Sequence, residues 1–286
     1  MLERVSIGLP TFNRPDGLAT SLACLTAQTH RDIEIVVSDN ASPDPRLQAI
    51  IVEHAARDHR IRHQRHATNI GAAANFKSVL DATTAPFFLW ASDDDLWEPD
   101  FIASNLALLT AHPQCQMAFG GIDNINANGI KIRDYPGFSR FTSGAARRDD
   151  AARFVEEPEI LGKANLIYGL FRTSALQQVV AEVWDNAEFT SWGGDMVLLF
   201  AFIARHPIIT QDRVLLHKRM PVTSDALIEI RDPRTYFVPS KHFRSYVARH
   251  KAVAPNPESA AAIVRLLWWR RWQQASAKLT RLVVRA

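Results

Sequence analysis

Apolar runs alternate with helical periods of apolar residues over the first hundred positions of the chain. Four short runs, several of them β-branched, are typical of buried strands: residues 5–9, 33–38, 61–65 and 87–90. Between them, apolar residues recur at helical spacing near residues 18–25, 47–56 and 69–80. This alternation predicts an α/β domain with a parallel sheet and helices on both of its faces.

The pattern weakens after residue 120. Three further strands are predicted there, at residues 118–125, 166–171 and 213–217. Residues 133–160, rich in glycine, arginine and aspartate, are predicted to be loop, and a helix is predicted over 195–204. Two helical stretches near 240–251 and 258–284 are expected to finish the chain. We therefore divide the sequence into three parts: residues 1–115, residues 116–235 and a helical C-terminal extension, 236–286.

Three polar clusters directly follow predicted strands. They are residues 10–14, 39–44 and 92–95. Ligands of such folds bind beyond the carboxyl ends of the strands. We therefore expect the three clusters to meet in one site.

Three consecutive carboxylates, Asp93, Asp94 and Asp95, follow the fourth predicted strand. They would repel one another unless a cation or basic groups compensate their charge. Mg²⁺ and Mn²⁺ are held by one or two carboxylates together with substrate phosphates, so the run indicates a metal that bridges a diphosphate. The alternative is a solvated acidic turn in which Asp93 or Asp95 caps the next helix.

The composition is that of an ordinary globular protein: 47% of the 286 residues are hydrophobic and 22% are charged. A formal net charge of +3 does not favour nucleic acid as a partner. Cys24 and Cys115 are too few for a disulfide framework and lack the spacing of a metal site, which predicts buried thiols in a reducing cytoplasm. We expect neither a secretory signal nor a transmembrane span, because no apolar run approaches about 18 residues.

Residues 4–110 resemble, in continuous order, the motifs of family 2 glycosyltransferases of the GT-A fold. The motifs are residues 5–14, 33–44, 69–71 with Asn75, and 92–100, and the similarity recurs at 168–174 and 192–219. The resemblance implies a GT-A-like, Rossmann-type mixed sheet, mostly parallel and flanked by helices. It also implies that residues 1–115 bind a nucleotide-sugar, most often a UDP-sugar, and that residues 116–235 bind the acceptor.

The same resemblance implies a metal-dependent, inverting transfer to a hydroxyl of a surface polysaccharide, a glycolipid or a related cell-envelope glycan. Against the nucleotide it places Pro10, Thr11, Phe12, Asn13, Arg14, Asp39, Asn69, Gly71 and Asp93. Asp39 corresponds to the carboxylate that hydrogen-bonds the base. Ser92-Asp93-Asp94 aligns with an Asp-x-Asp metal motif, with Asp94 as the preferred ligand of Mn²⁺ or Mg²⁺ and Asp95 as a further one. Ser92 stands where the first aspartate is expected.

Asp195 follows Trp192-Gly193-Gly194 and opens an apolar helical stretch. From the residues alone, a helix N-cap is the favoured interpretation. The resemblance instead places Asp195 at the position of the catalytic base, which would take the proton of the acceptor hydroxyl. A base acting on the face opposite the leaving group implies single displacement with inversion.

Three more residues lie in segments that resemble the later motifs of the family. Arg219 would neutralise the diphosphate. His217 is either a third metal ligand or a structural histidine, and the second interpretation is favoured. Arg172 would either bind substrate or end a strand.

After Glu258 the tail contains basic residues and no acidic one. Trp268, Trp269 and Trp272 are interleaved there with arginines, a combination suited to the interface of an anionic bilayer. We hypothesise that this helix makes peripheral contact with the inner membrane face, near a lipid-linked acceptor. The alternatives are a helix packed on the catalytic domain with its arginines in water, and an oligomer contact.

Two other functions stay open from the sequence. A sugar nucleotidyltransferase also holds metal on carboxylates in an α/β sheet. It would usually carry a glycine-rich loop after the first strand, where this chain has Pro10, Thr11 and Phe12. The second is a non-catalytic nucleotide-sugar-binding or scaffold protein.

Overall fold

The structure, a computed structural model, describes residues 3–142, 147–186, 192–220 and 233–285. The chain divides into two compact units. The first unit comprises residues 1–134, 168–177 and 209–227, and the second comprises residues 135–167, 178–208 and 228–286.

A mixed sheet forms the centre of the first unit. Its strands in the described residues are β1 (Val5–Thr11), β2 (Ile33–Asp39), β3 (Ile61–Arg65), β4 (Phe87–Trp90), β5 (Leu96–Trp97), β6 (Met117–Ile125), β7 (Lys131–Asp134), β8 (Leu170–Arg172) and β9 (Ile208–Arg219). Their order is β3-β2-β1-β4-β8-β6-β9-β5, with β7 paired to β6. Pairs among β1 to β4 are parallel, whereas β4–β8, β6–β8, β6–β7 and β5–β9 are antiparallel.

Helices connect the parallel strands, as the alternating pattern predicts. They are α1 (Pro15–Thr26), α2 (Pro45–Arg57), α3 (Ala72–Asp81) and, after β5, α4 (Phe101–Ala111). α1 and α2 both begin with proline, whose fixed φ suits the first helical position, and Asp44 caps α2 by accepting from Arg46 N over 2.9 Å. Every residue of β1, β2 and β4 is buried, as expected for strands covered on both faces. The mixed α/β fold class is therefore confirmed.

The segment after the acidic run is a strand rather than a helix. Leu96 and Trp97 pair with His217 and Leu216 of β9, and α4 begins only at Phe101. The interpretation of Asp93 or Asp95 as the cap of the next helix is therefore wrong. Pairing with a strand more than a hundred residues away overrides the local helix signal here.

The second unit is helical. Its helices are α5 (Arg147–Glu156), the later part of α6 (Thr173–Asn186), α7 (Gly194–Arg205), α8 (Phe243–Ala252) and α9 (Pro257–Arg285). The two C-terminal helices are confirmed, but the loop predicted over residues 133–160 is wrong, since it contains the end of β7 and all of α5. α5 is rich in charge, and the buried residues among those whose side chains are described, 150–156, are Asp150, Ala151, Phe154 and Val155. The many charged positions hide the helical period of the sequence. Within the described ranges, no helix is long and apolar enough to span a bilayer.

Buried cations join the helices of the second unit. Lys163 is fully buried, and its Nζ donates to Phe154 O and Glu157 O at 2.7 Å each, where α5 ends. Burial lowers the pKa of this ammonium, although nearby carboxylates oppose the shift. Arg270 of α9 is 2% exposed and donates to the carbonyls of Glu156, Arg234 and Tyr236. These cations satisfy carbonyl groups that would otherwise be buried without donors.

Candidate active site

The polar clusters at the ends of β1, β2 and β4 lie together, as expected. Thr11 and Asp39 are register partners at the ends of β1 and β2. Thr11 Oγ1 donates to Asp93 Oδ2 over 2.7 Å, and Asn13 N donates to Ser42 Oγ over 2.9 Å. The acidic run therefore packs against the loop that follows β1.

Arg14 lies between two carboxylates of the acidic run. Its Nη1 is 3.1 Å from Asp93 Oδ1 and 2.8 Å from Asp94 Oδ2. Ser92 Oγ donates to the other oxygen of Asp94 over 2.5 Å. Burial raises the pKa of Asp93, although the hydrogen bond from Thr11 and the charge of Arg14 oppose that shift. Asp93 and Asp94 thus form a negative centre that holds a cationic group.

Asp95 is buried beneath this centre, with no exposed surface. Its Oδ1 accepts from Arg219 N over 2.9 Å, and its Oδ2 has no hydrogen-bond partner among the described residues. Burial, followed by the charge of Asp94, raises the pKa of Asp95 to about 7. Its carbonyl accepts from Ser21 of α1 over 3.0 Å, which fixes the backbone of the run.

A cavity of about 570 Å³ opens beside Asp94. Its lining includes Arg14, Arg46 and Arg219, together with Asp94. Arg219 lies at the end of β9, where its Nε donates to Asp94 O over 3.2 Å and its Nη1 to Ala127 O over 2.9 Å. The cavity is also lined by Asp16 and Asp44, and its three guanidinium groups suit an anionic ligand such as a diphosphate.

A second cavity, of about 410 Å³, lies beside the end of β1 and the loop that follows it. It brings together six of the residues that the sequence places at the nucleotide: Pro10, Thr11, Phe12, Arg14, Asn69 and Asp93. Phe12 is 43% exposed, large for an aromatic ring, and lies at this cavity. Arg14 lines both cavities, so they adjoin at its side chain. Asn13 lines the larger one.

Asp39 lies at the end of β2 and is 1% exposed. Its Oδ1 accepts from Ser42 N over 2.9 Å. Arg65 Nε is 3.3 Å from Oδ2, without the alignment of a hydrogen bond. Gly71, with a φ of 85°, ends the turn before α3, and its N donates to Asn69 Oδ1 over 2.8 Å.

Three residues of this region had no predicted role of their own: Asn40, which lies in the predicted cluster 39–44, Arg65 and Phe76. Asn40 links two loops, because its Nδ2 donates to Asn69 Oδ1 over 3.0 Å and its Oδ1 accepts from Ile70 N over 2.9 Å. Arg65 also ends a predicted strand, which was the available signal. Phe76 lines the smaller cavity from α3 and had no signal in the sequence beyond its helical position.

The contacts of His217 favour the structural interpretation over metal ligation. Its Nδ1 is 2.6 Å from Asp123 Oδ1 and its Nε2 is 2.9 Å from Glu98 Oε1, so both ring nitrogens are engaged. Burial lowers the pKa of His217, but the hydrogen bonds to Glu98 and Asp123 outweigh burial and raise it overall. Arg172 is likewise structural, with its guanidinium on the carbonyls of Cys115 and Leu109.

We expect His217 to make folding stability depend on pH, because its pKa is raised in the folded state. A histidine whose pKa is raised in the folded state stabilises the fold below its unfolded pKa of about 6.5, and this stabilisation is lost as pH rises through the folded value. We expect His217→Gln to unfold more easily in urea than the parent at about pH 6, with the difference shrinking toward about pH 8.5. His63→Gln, at an exposed position of β3, is the matched control. An equal pH trend in the stability of both variants would refute the role of His217.

Asp195 belongs to the second unit, in the first turn of α7. The N-cap of α7 is Gly193, so the interpretation of Asp195 as the cap is wrong. Gly193 has a φ of 75°, and a Cβ there would lie 3.0 Å from the Tyr246 ring, which explains the glycine. Asp195 is partly exposed, and its Oδ1 accepts from Met196 N over 2.8 Å.

The comparison with known families decides the classification. A family model described as "Glycosyl transferase family 2" matches residues 6–167, more than half of the chain. The chain belongs to this family. The match includes nearly all of β1, the strands β2 to β4 and the whole acidic run. It therefore contains every lining residue of the two cavities except Arg219.

Curated relatives match the family 2 chain over less than half of its length. "Uncharacterized protein Rv1520" of Mycobacterium tuberculosis is 32% identical over 138 residues, which are 47% of this chain and 40% of that protein. "Amylovoran biosynthesis glycosyltransferase AmsB" of Erwinia amylovora is 23% identical over 105 residues, 36% of this chain and 35% of that protein. The chain thus spans at most about 40% of the length of these two relatives.

Solved structures share the fold of the family 2 chain at low identity. TarS of Staphylococcus aureus, in complex with UDP-GlcNAc, has a TM-score of 0.65 and 16% identity, over 94% of this chain and 72% of that chain. The mannosyltransferase PcManGT of Pyrobaculum calidifontis, in complex with GDP-Man and Mn²⁺, has a TM-score of 0.57 and 16% identity, over 98% of this chain and 75% of that one. The GT-A-like fold is therefore confirmed.

Proposed function

We propose that this chain transfers a sugar from a nucleoside diphosphate-sugar to a hydroxyl acceptor, with inversion at the anomeric carbon. The observation that carries the proposal is the meeting of Thr11, Arg14 and the acidic run at two adjoining cavities. One cavity contains an exposed aromatic ring and amides, and the other contains arginines. A nucleoside diphosphate matches this arrangement, because its base suits the aromatic ring and amides and its diphosphate suits the arginines.

We assign the nucleoside to the smaller cavity. Phe12 offers a ring for stacking, and Pro10 and Asn69 lie on the same lining. Asp39 Oδ2 has no aligned donor and is the acceptor that we assign to the N–H of the base. The neighbours TarS and PcManGT were solved with UDP-GlcNAc and GDP-Man, which supports a nucleotide-sugar donor; we propose a UDP-sugar.

The acidic run suits a divalent cation. Arg14 Nη1 lies within 3.1 Å of Asp93 and 2.8 Å of Asp94, and this contact supports a position that attracts positive charge. Among the described residues, no three side chains of His, Cys, Asp or Glu converge as a complete metal cage. Mg²⁺ and Mn²⁺ do not need one, because phosphate oxygens and water complete their coordination. We propose Asp94 as the direct ligand and Asp95 as the second carboxylate; a bound ion would neutralise charge on the leaving diphosphate.

We assign the catalytic base to Asp195. Its carboxylate takes the proton of the acceptor hydroxyl while that oxygen bonds to the anomeric carbon and the bond from this carbon to the diphosphate oxygen breaks. The products are the glycosylated acceptor with inverted configuration and the free nucleoside diphosphate. Arg14 and Arg219, both on the lining of the larger cavity, stabilise the charge that develops on the leaving group.

We propose an acceptor in the cell envelope, either a surface polysaccharide or a lipid-linked glycan at the inner membrane face. The relative AmsB is named for amylovoran biosynthesis, which supports a polysaccharide acceptor. In this scheme residues 1–115 bind the donor and residues 116–235 bind the acceptor.

A thermal-shift screen of nucleoside diphosphates with Mn²⁺ or Mg²⁺ tests the donor site. A ligand at about 100 times its Kd stabilises the folded state by about 2.7 kcal/mol, so UDP with Mn²⁺ is expected to raise the unfolding midpoint by several degrees. Uridine with Mn²⁺, which lacks the diphosphate, and Mn²⁺ alone are the controls and should give small shifts. If no nucleoside diphosphate shifts the midpoint beyond these controls, the proposed function fails.

A further inference from the structure

α9 has apolar side chains on two opposite faces. Successive residues of a helix are about 100° apart. The inner face is buried and consists of Ile263, Leu267, Arg270, Gln274 and Ala277. The opposite face, which we call the tryptophan face, consists of Arg265, Trp268, Trp269, Trp272 and Leu279. The tryptophans on it are 51–59% exposed and Leu279 is 63% exposed. An apolar stripe on each side predicts a second partner for the outer one.

The tryptophan face is built as a continuous surface. The rings of Trp269 and Trp272 stack with centroids 4.9 Å apart. Trp268 packs edge-on against Phe243 of α8, with centroids 4.8 Å apart. These contacts hold the indoles in place while half of each ring system stays in water. Such rings are amphipathic and suit a surface that is apolar on one side and wet on the other.

The chain segment that carries the tryptophan face is almost entirely positive in charge. Residues 233–286 contain one acidic residue, Glu258, and eleven basic ones: Arg234, Lys241, Arg244, Arg249, Lys251, Arg265, Arg270, Arg271, Lys278, Arg281 and Arg285. Some of these cations are buried, such as Arg270, but six are exposed in the described side chains: Arg234, Lys241, Arg244, Lys251, Arg265 and Lys278. The side chains of Arg281, Leu282, Val283 and Arg285 lie outside the described residues.

We propose that the tryptophan face lies on an anionic phospholipid bilayer. Exposed cations meet the negative headgroups, and the indoles of Trp269 and Trp272 enter the boundary between headgroups and acyl chains. A second copy of this chain fits less well. A symmetric contact would place two positively charged faces against each other. The charge therefore selects the membrane over self-association.

A cavity of about 630 Å³ flanks the tryptophan face in the same unit. Its lining comes from α5, α7, α9 and the turn before α9. The charged residues of the lining are Glu258 and Arg265, and the apolar ones include Ala151, Phe200, Ala204, Ala262, Leu266 and Trp269. Arg265 and Trp269 belong both to this lining and to the tryptophan face. The cavity therefore opens beside the docking face, and we assign it to one acyl chain whose headgroup lies against Arg265.

Vesicle flotation with the full chain tests this proposal and needs no sugar transfer, so it can fail or succeed independently of the proposed function. We expect binding to phosphatidylcholine vesicles that contain phosphatidylglycerol, and weak binding to phosphatidylcholine alone. Trp269→Ser combined with Trp272→Ser should lower the affinity by on the order of tenfold or more, because two exposed indoles leave the interface. Ile130→Ser, which removes another exposed apolar side chain (61%) from the first unit, is the matched control and should bind as the parent does.

Vesicles whose phospholipids have brominated acyl chains test whether the indoles enter the bilayer. They should quench the tryptophan fluorescence of the parent, and Ala262→Phe, which fills the cavity, should reduce affinity without changing any charge or tryptophan. Absence of binding to anionic vesicles, equal binding by the double serine variant, or equal binding by Ala262→Phe would each overturn the corresponding part of the proposal. Light scattering that shows a dimer dissociated by the double variant would assign the face to a second copy instead.

Discussion

Asp195→Asn is expected to lower the rate of sugar transfer by roughly 10²–10⁴-fold and to leave nucleotide binding unchanged. Asparagine keeps the shape of the side chain and the oxygen that accepts from Met196 N. It cannot take up a proton, so the acceptor hydroxyl would have to attack without a base. Release of nucleoside diphosphate from the donor class selected by the thermal-shift screen measures the rate, and calorimetry measures binding.

Glu258→Gln is the matched control for Asp195→Asn. Glu258 is also an acidic residue in the first turn of a helix of the second unit, so both variants remove the same interaction with a helix N-terminus. The control should transfer sugar at the parent rate. Equal rates for Asp195→Asn and the parent would exclude Asp195 as the base. Proton NMR of the product tests inversion separately, because retention of the anomeric configuration would contradict single displacement.

Asp94→Asn is expected to weaken the binding of Mn²⁺ in the presence of nucleoside diphosphate by on the order of 10–100-fold and to reduce transfer at least as much. Its side chain is 28% exposed, against 9% for Asp93, and it faces the cavity that the arginines line. The neutral amide keeps the bond from Ser92 but gives up the charge that attracts the ion. Electron paramagnetic resonance of free Mn²⁺ measures the affinity without any need for turnover.

Asp16→Asn is the matched control for this variant. Asp16 lines the same cavity, and its side chain is 88% exposed and 3.4 Å from Arg46. Asp16→Asn removes the same unit of charge from the same cavity as Asp94→Asn. It therefore separates direct ligation of the metal from a general change in the electrostatic potential. Equal losses in both variants, or no loss in Asp94→Asn, would contradict ligation by Asp94. The donor site would then still be tested by the thermal-shift screen.

The parallel half of the sheet could be predicted from the sequence because its signals are local. Each of β1, β2 and β4 is an apolar run that ends at turn residues or charges, and each is followed by a helical period. The edge at which ligands bind follows from the direction of the strands alone. For this reason the clusters at residues 10–14 and 92–95, which contain Thr11 and Asp93, could be predicted to meet.

The antiparallel half depends on contacts between distant parts of the chain. β5 and β8 are two and three residues long, too short for any periodic signal, and each exists because a distant strand pairs with it. The strand predicted over 166–171 is wrong in its first part, where Lys163–Tyr168 forms a 3-10 helix and only Leu170–Arg172 is strand. α6 was missed altogether.

The candidate site also has parts that local signals predict and parts that depend on contacts between distant residues. Six predicted residues line the smaller cavity because they lie in loops next to strand ends. Asn40 contributes through hydrogen bonds to the loop before α3, and Arg65, the last residue of β3, contributes through its contact with Asp39 of β2. The sequence order does not reveal either contact. The roles of Asp95 and Asp195 stay predictions, to be tested by the variants described above.

Lys163 gives the second unit a built-in chemical reporter. Amine-reactive reagents need a solvent-exposed, uncharged nitrogen, and the Nζ of Lys163 has no exposed surface while it donates to the end of α5. The Nζ of Lys163 can therefore react only when α5 separates from the segment that follows it. The labelling rate of this one amine, compared with that of the exposed Lys241, would measure how often the helical unit opens while the rest of the molecule stays folded.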